Sequence, residues 1–191
     1  MPARTHKLPF PVLLPLAGLL LAILFLAACS ANSASLPPTP TPKIPAWFDV
    51  QMTDVLTGQA FSMRDFAGKV VLVETMATWC PTCWKQENEM KRLADMLANP
   101  QDLVLISLDV DSNEDEAILK DFAATGGYSW RFAVAPIAVQ RDLGNLYSAD
   151  FLNPPLAPML IIDRQGRVFG LPNGVKGAVA LQKTLDQYLN P

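Results

Sequence analysis

Residues 69–83 read Lys-Val-Val-Leu-Val-Glu-Thr-Met-Ala-Thr-Trp-Cys-Pro-Thr-Cys, and this stretch decides the fold. Its first eight residues are largely β-branched and apolar, which is typical of a strand that is buried on both faces. Residues 84–98 then carry apolar side chains at helical spacing. Cys80 and Cys83 are therefore predicted to lie where a buried strand passes into a helix.

The position of the cysteine pair predicts redox chemistry. Unpaired N–H groups and aligned peptide dipoles at a helix N-terminus favour negative charge, and so they favour the thiolate of Cys80. Pro81 fits the first helical turn, because the N–H group that it lacks has no intrahelical partner there. Cys83 returns to the same face within disulfide reach. We expect Cys80 to attack a partner disulfide and Cys83 to resolve the mixed disulfide, which leaves a Cys80–Cys83 disulfide.

Three other uses of such a pair fit the sequence less well. A zinc site needs further ligands, but Cys29 is predicted to carry lipid, and the single histidine, His6, lies in the predicted signal peptide. A structural disulfide across so short a loop constrains the unfolded chain little. A c-type haem site needs a histidine where Trp84 stands. We therefore expect neither a metal nor another cofactor.

The N-terminus has the pattern of an export signal. Arg4 and Lys7 form a positive region, and residues 8–28 carry no charge. The sequence Leu-Ala-Ala-Cys at 26–29 resembles the lipobox of bacterial lipoproteins, which implies cleavage before Cys29 and lipid attachment to its sulfur. The alternative is an uncleaved N-terminal helix, since roughly 20 apolar residues can span a bilayer. Either form anchors the chain at the extracytoplasmic face of a bacterial membrane.

Residues 30–46 are rich in proline, with repeated Thr-Pro pairs, and favour an extended conformation. Such a segment cannot build a core. We therefore divide the chain into a signal peptide at 1–28, a lipidated cysteine with a proline-rich tether at 29–46, and one globular domain at 47–191.

The globular part alternates strands with helices. This order predicts an α/β fold in which helices flank a central mixed β-sheet, with an N-terminal β-hairpin. The predicted segments besides 69–98 are a hairpin at 48–63, a strand at 103–108, a helix at 113–124 that starts with a capping box of Asn113 and Glu116, a strand at 131–135, a helix at 137–146, a hairpin at 159–170 and a helix at 175–189.

Residues 69–83, together with the segments 108–111, 121–122 and 160–168, resemble thioredoxin-like proteins of the TlpA/ResA type. These are membrane-tethered bacterial thiol–disulfide oxidoreductases, so the resemblance implies a thioredoxin-like fold with a redox-active CxxC disulfide. It also implies that the partners are disulfides or thiols of exported proteins, such as apocytochromes c awaiting haem or oxidase assembly factors. A membrane thiol carrier is then the source of electrons.

The resemblance assigns roles to further residues. It implies that Pro158 is cis to Ala157 and packs against the cysteine pair, which exposes the Ala157 backbone for pairing with a client. It implies that Glu74 is a buried acid that exchanges a proton with Cys83. The residues expected to bind clients are Trp79, Pro81, Thr82, Ala157 and Pro158.

Several alternatives stay open. The chain departs from the family pattern at 74–76 and at 153–156, which leaves the client undefined. A protein disulfide oxidant would use the same residues in the opposite direction, although the absence of histidine between the cysteines favours a reductase. A Cu(I) carrier would bind metal through Cys80, Cys83 and the thioether of Met76 or Met159.

The formal charge of −3 without a basic stripe argues against nucleic-acid binding. We also expect the protein to be a monomer.

Overall fold

The computed structural model describes residues 44–97 and 101–190. The predicted signal peptide and most of the predicted tether lie outside these residues. Within the described part of the chain, no helix is long and apolar enough to cross a membrane.

A five-stranded mixed sheet forms the centre of the domain. A short hairpin of β1 and β2 precedes it, and the order of strands in the sheet is β5-β4-β3-β6-β7. The strands in the described residues are β1 (Met52–Thr53), β2 (Ala60–Phe61), β3 (Val70–Met76), β4 (Leu103–Asp109), β5 (Arg131–Val134), β6 (Met159–Ile162) and β7 (Val168–Gly170).

Strand β3 is the central strand, which explains its largely apolar sequence. It pairs in parallel with β4 and antiparallel with β6, and all seven of its residues are buried. A strand that is covered on both faces cannot alternate apolar with polar side chains. The prediction of a strand buried on both faces is confirmed.

In the part of the chain that the structure describes, four α-helices cover the two faces of the sheet. They are α1 (Pro81–Leu97), α2 (Glu116–Gly126), α3 (Ile137–Leu146) and α4 (Ala178–Leu189). One core cluster contains buried residues of α1, α2 and α4 together with Leu72 and Met76 of β3. The other contains residues of α3 and Val71 and Val73 of β3. The predicted α/β fold with a central mixed sheet and flanking helices is confirmed.

A buried tryptophan lies near the start of the described residues, and Ile44 before it already packs against the core. Trp47 is completely buried in a 3-10 turn, Ala46–Asp49, and its indole N–H donates to the Tyr147 hydroxyl at 2.9 Å. The predicted N-terminal hairpin is present but short. Asp54 ends the first strand, because its carboxylate accepts from the N–H of Leu56 and the hydroxyl of Thr57.

Two helix starts differ from the prediction. The N-cap of α2 is Asp115, whose carboxylate accepts the N–H groups of Ala117 and Ile118 at 2.9 Å, so the predicted Asn113 capping box is wrong. Helix α4 starts three residues later than predicted, at Ala178. The Ala178 N–H is bound there by the carboxylate of Glu89 on α1, a partner that the local sequence does not reveal.

Candidate active site

The cysteine pair lies at the start of α1, as predicted. The N–H of Cys83 donates to Cys80 Sγ at 3.2 Å, and the N–H of Cys80 itself donates to the carbonyl of Ala77. Both cysteines are present as free thiols and both are buried. A backbone N–H that points at Cys80 Sγ stabilises negative charge on that sulfur.

Cys83 Sγ acts as a hydrogen-bond donor, whereas Cys80 Sγ acts as an acceptor. Its Sγ donates to the carbonyl oxygen of Pro154 at 3.4 Å. Burial raises the pKa of the Cys83 thiol, and the hydrogen bond with Cys80 adds to that increase. The arrangement therefore favours a protonated Cys83 and presents Cys80 with a hydrogen-bond donor, and the separate roles of the two thiols stay a prediction.

Side chains from the loop after β4 hold the segment that leads into the cysteine pair. Glu114 accepts hydrogen bonds from the Thr78 N–H at 2.8 Å and from the Thr78 hydroxyl at 2.6 Å. Asp111 accepts from the indole N–H of Trp79, whose side chain is 57% exposed. Sequence reasoning gave neither Glu114 nor Asp111 a role at the site, although Asp111 ends the segment 108–111 that carries part of the family resemblance.

Asp109, at the end of β4, is a further acid close to this loop. It is completely buried, and one of its oxygens accepts the N–H of Asp111 at 2.9 Å. Burial is the main cause that raises the pKa of Asp109 to about 8; the hydrogen bond from Asp111 opposes this shift, and the neighbouring Glu114 contributes to it.

The predicted cis bond at Pro158 is wrong, because the described residues contain no cis peptide bond. A 3-10 turn and one left-handed residue change the direction of the chain at this point. A 3-10 turn, Pro154–Leu156, ends at Ala157, which adopts the left-handed conformation with φ 45° and ψ 55°. This residue redirects the chain into β6, and the Pro158 carbonyl then accepts the N–H of Thr75 at 3.2 Å.

The Ala157 backbone is not exposed, contrary to the expectation from the resemblance. Ala157 is completely buried, and Lys176 Nζ donates to its carbonyl at 2.6 Å. Of the other residues expected to bind clients, Trp79 and Pro81 are exposed, Thr82 is half-buried and Pro158 is buried. The structure thus brings Trp79, Pro81 and Thr82 together at the start of α1, and their contact with a client stays a prediction.

Glu74 is buried beneath the cysteine pair, as predicted. It lies on β3 between Leu72 and Met76, on the face that packs against α1, and neither of its carboxyl oxygens has a hydrogen-bond partner among the described residues. Burial raises its pKa well above the ordinary value, and Glu87 raises it further, whereas Lys176 opposes the shift. Its role in proton transfer stays a prediction.

Sequence reasoning missed Glu87 and Lys176. Glu87 is completely buried on α1, and burial raises its pKa to about 8. Its position four residues after Cys83 could have been recognised, because that spacing returns to the same helix face. Lys176 comes from the loop before α4, and burial lowers its pKa to about 8 while Glu74 opposes the shift. No local pattern indicates its location.

No group of three or more histidine, cysteine, aspartate or glutamate side chains in the described part of the chain is arranged to hold a metal ion. Met76 and Met159 are completely buried and belong to the same core cluster as Cys80 and Cys83. They are the thioether groups that the Cu(I) alternative requires.

Known proteins resemble this chain in both sequence and fold. The Redoxin family profile matches residues 41–185. The thiol-disulfide oxidoreductase ResA of Bacillus thuringiensis subsp. konkukian is 26% identical over 134 residues, which cover 70% of this chain and 69% of that protein. A thioredoxin family thiol:disulfide interchange protein from Chlorobium tepidum superposes with a TM-score of 0.61 at 21% identity and covers 81% of this chain and 100% of its own. A SCO1/SenC family lipoprotein from Bacillus anthracis superposes with a TM-score of 0.59 at 18% identity, over 76% of this chain and 98% of its own.

Proposed function

Because this chain belongs to the redoxin family and is a thiol–disulfide oxidoreductase, we propose that Cys80 and Cys83 are its exchanging pair and that it reduces disulfides of exported proteins. The observation that carries this proposal is the N–H of Cys83, which points at Cys80 Sγ at 3.2 Å. That contact directs a hydrogen-bond donor at the sulfur that would attack a client disulfide, and the attacking form of a cysteine is its thiolate.

The proposed reaction proceeds in two exchanges. The Cys80 thiolate attacks one sulfur of the client disulfide, so a bond forms between Cys80 Sγ and that sulfur while the other client sulfur leaves as a thiolate. Cys83 then loses its proton to Glu74 and attacks Cys80 Sγ, which releases the second client thiolate. Two electrons pass to the client, the released thiolates take up protons from solvent, and the protein is left with a Cys80–Cys83 disulfide.

The proposed location rests on the N-terminal sequence. A positive start, an uncharged apolar stretch and the Leu-Ala-Ala-Cys ending support export and lipid attachment at Cys29. The lipid would hold the domain at the extracytoplasmic face of the membrane, where apocytochromes c and oxidase assembly proteins are candidate clients and a membrane thiol carrier is the candidate reductant. Mass spectrometry of the mature protein tests this part, since it should detect a lipidated Cys29 as the first residue.

Insulin-disulfide reduction by the purified full chain tests the assignment of the thiols. Cys80→Ala should abolish activity, and Cys83→Ala should accumulate a mixed disulfide with insulin because the resolving thiol is absent. Cys29→Ala is the matched control, since it removes a cysteine outside the described residues and should leave the reaction of the purified chain unchanged. Full activity in Cys80→Ala would contradict the proposed mechanism.

Equilibration with glutathione tests the direction of electron flow. A potential well below about −180 mV, the value of a disulfide isomerase, supports a reductase. A potential near about −120 mV instead indicates a protein oxidant that works through the same residues.

Cu(I) carriage is a second candidate, favoured by the presence of Met76 and Met159 in the same core cluster as the two thiols. Thiolate and thioether sulfur are ligands that suit Cu(I). This function predicts stoichiometric Cu(I) binding by the reduced chain and its loss in Met76→Leu or Met159→Leu. Unchanged binding in both variants would remove the methionines from the proposal.

A further inference from the structure

A turn that contacts the proposed resolving thiol is fixed to the domain by residues that the proposed reaction does not use. The 3-10 turn Pro154–Leu156 packs against α1 and β3, and the Pro154 carbonyl accepts the S–H of Cys83 at 3.4 Å. Cys83 is completely buried, so this turn is part of what separates its sulfur from solvent. The position of Cys83 Sγ therefore depends on the contacts that hold the turn.

The turn ends in a conformation that needs support from outside its own sequence. Ala157 has φ 45°, in the left-handed region that residues with a Cβ atom rarely adopt. Its N–H donates back to the Pro154 carbonyl at 2.8 Å, so the same oxygen closes the turn and accepts from the thiol. Such a residue persists where surrounding contacts stabilise it.

Lys176 provides such a contact. Its Nζ donates to the carbonyl of Ala157 at 2.6 Å and to the carbonyl of Gly174 at 2.6 Å. The N–H of Gly174 donates in turn to the carbonyl of Leu156 at 2.7 Å. One ammonium thus joins the end of the turn to the loop before α4, and hydrogen bonds from a charged donor are stronger than those between neutral groups.

Gln86 fixes the backbone of Lys176 to the helix that carries the thiols. Gln86 is completely buried on α1, three residues after Cys83. Its side-chain oxygen accepts the N–H of Lys176 at 2.7 Å, and its NH₂ group donates to the Lys176 carbonyl at 3.1 Å. The hydrogen bonds therefore form a closed path that runs from α1 through Lys176 and the turn back to Cys83.

On the basis of the proposed function, we infer that Lys176 is a positioning residue for the second exchange, because it holds the turn whose Pro154 carbonyl fixes Cys83 Sγ. In that exchange the proton of Cys83 passes to Glu74, a bond forms between the two cysteine sulfurs, and the bond between Cys80 and the client sulfur breaks. The first exchange uses Cys80, whose sulfur accepts from the Cys83 N–H and not from the turn. Loss of Lys176 should therefore slow the second exchange and spare the first.

A stopped-flow reaction of the reduced full chain with Ellman's reagent separates the two exchanges. A Cys29→Ala background leaves only the two thiols of the site. Attack by Cys80 releases the first thionitrobenzoate, and resolution by Cys83 releases the second. Lys176→Met should slow the second release on the order of tenfold, because the resolving sulfur is no longer held in place, and should leave the first unchanged.

Gln86→Met distinguishes positioning from charge. Lys176 also lowers the pKa of Glu74, so its removal should shift the pH midpoint of the second release as well as slow it. Gln86→Met keeps the ammonium but frees the Lys176 backbone from α1. In this variant the second release should be slower at every pH with an unchanged midpoint. Lys183→Met, which removes an exposed lysine on α4, is the matched control and should reproduce the wild-type profile.

The inference is overturned if the maximal rate of the second release is unchanged or increased in either Lys176→Met or Gln86→Met. If the wild type releases no thionitrobenzoate at all, the proposed function fails instead. Should both variants fail to fold, proton exchange of the lysine ammonium groups in the wild type replaces them. The ammonium of Lys176 should exchange with water more slowly than that of the exposed Lys183, and equal rates overturn the inference.

Discussion

Replacing Glu87 by glutamine should change how the stability of the domain depends on pH. Glu87 is completely buried, and burial raises its pKa from an ordinary value of 4.5 to about 8. The folded state therefore binds this proton more tightly than the unfolded state does. The resulting stabilisation is fully present below about pH 4.5 and is lost as the pH rises to about 8.

The size of the effect follows from this difference in pKa. Each pH unit within the window changes the free energy of unfolding by about 1.4 kcal/mol, and the whole window corresponds to roughly 5 kcal/mol. Glutamine has nearly the same shape and does not titrate. Between the two ends of the window, the wild type should therefore lose roughly 5 kcal/mol more stability than Glu87→Gln.

Urea unfolding of the reduced chain at several pH values across this window measures the difference. Glu116→Gln serves as the control, because its carboxyl is exposed on α2 and its curve should run parallel to that of the wild type. If the stability of Glu87→Gln falls with pH as steeply as that of the wild type, Glu87 is ionised in the folded state across the whole window, and the reasoning from its burial is refuted.

Substitutions at three further positions test the packing and the loops around the site. Glu114→Gln should lower the rate of insulin reduction without unfolding the domain, because a neutral amide binds the Thr78 N–H and hydroxyl less strongly than a carboxylate does. Ala157→Val should reduce the free energy of unfolding in urea by about 1–3 kcal/mol, since a β-branched residue is strained at φ 45°, whereas Ala157→Gly should avoid that strain. Leu93→Ala, at a completely buried position on α1, should cost about 2–5 kcal/mol in the same assay, and a loss below 1 kcal/mol would contradict the packing described.

The sheet and the thiol pair could be predicted because their signals are local. The β-branched run at 69–76 corresponds to β3, and the apolar spacing after it corresponds to α1. Each pattern is formed by residues that are neighbours along the chain. A central strand that is buried on both faces needs a largely apolar, β-branched sequence. The location of Cys80 and Cys83 at the start of a helix follows from the same local reasoning.

The start of α4 and the turn before β6 could not be predicted in the same way. Glu89 binds the first N–H of α4 from another helix, so the helix begins later than its apolar pattern indicates. At Ala157, a left-handed residue after a 3-10 turn directs the chain into β6 with a trans bond to Pro158, where the family pattern predicts a cis bond. Both outcomes depend on contacts with elements that are distant in the sequence.

The sequence by itself determined the order of strands and helices, the two thiols and the helix N-terminus that distinguishes Cys80 from Cys83. Only the tertiary structure brought Glu87 and Lys176 within electrostatic reach of Glu74. The physical reason is that hydrogen-bond direction at a helix terminus is set within one turn, whereas removal of a carboxyl from water depends on every element packed around it. The pKa of Glu87, about 8, is therefore a property of the fold and not of the residues on either side of it.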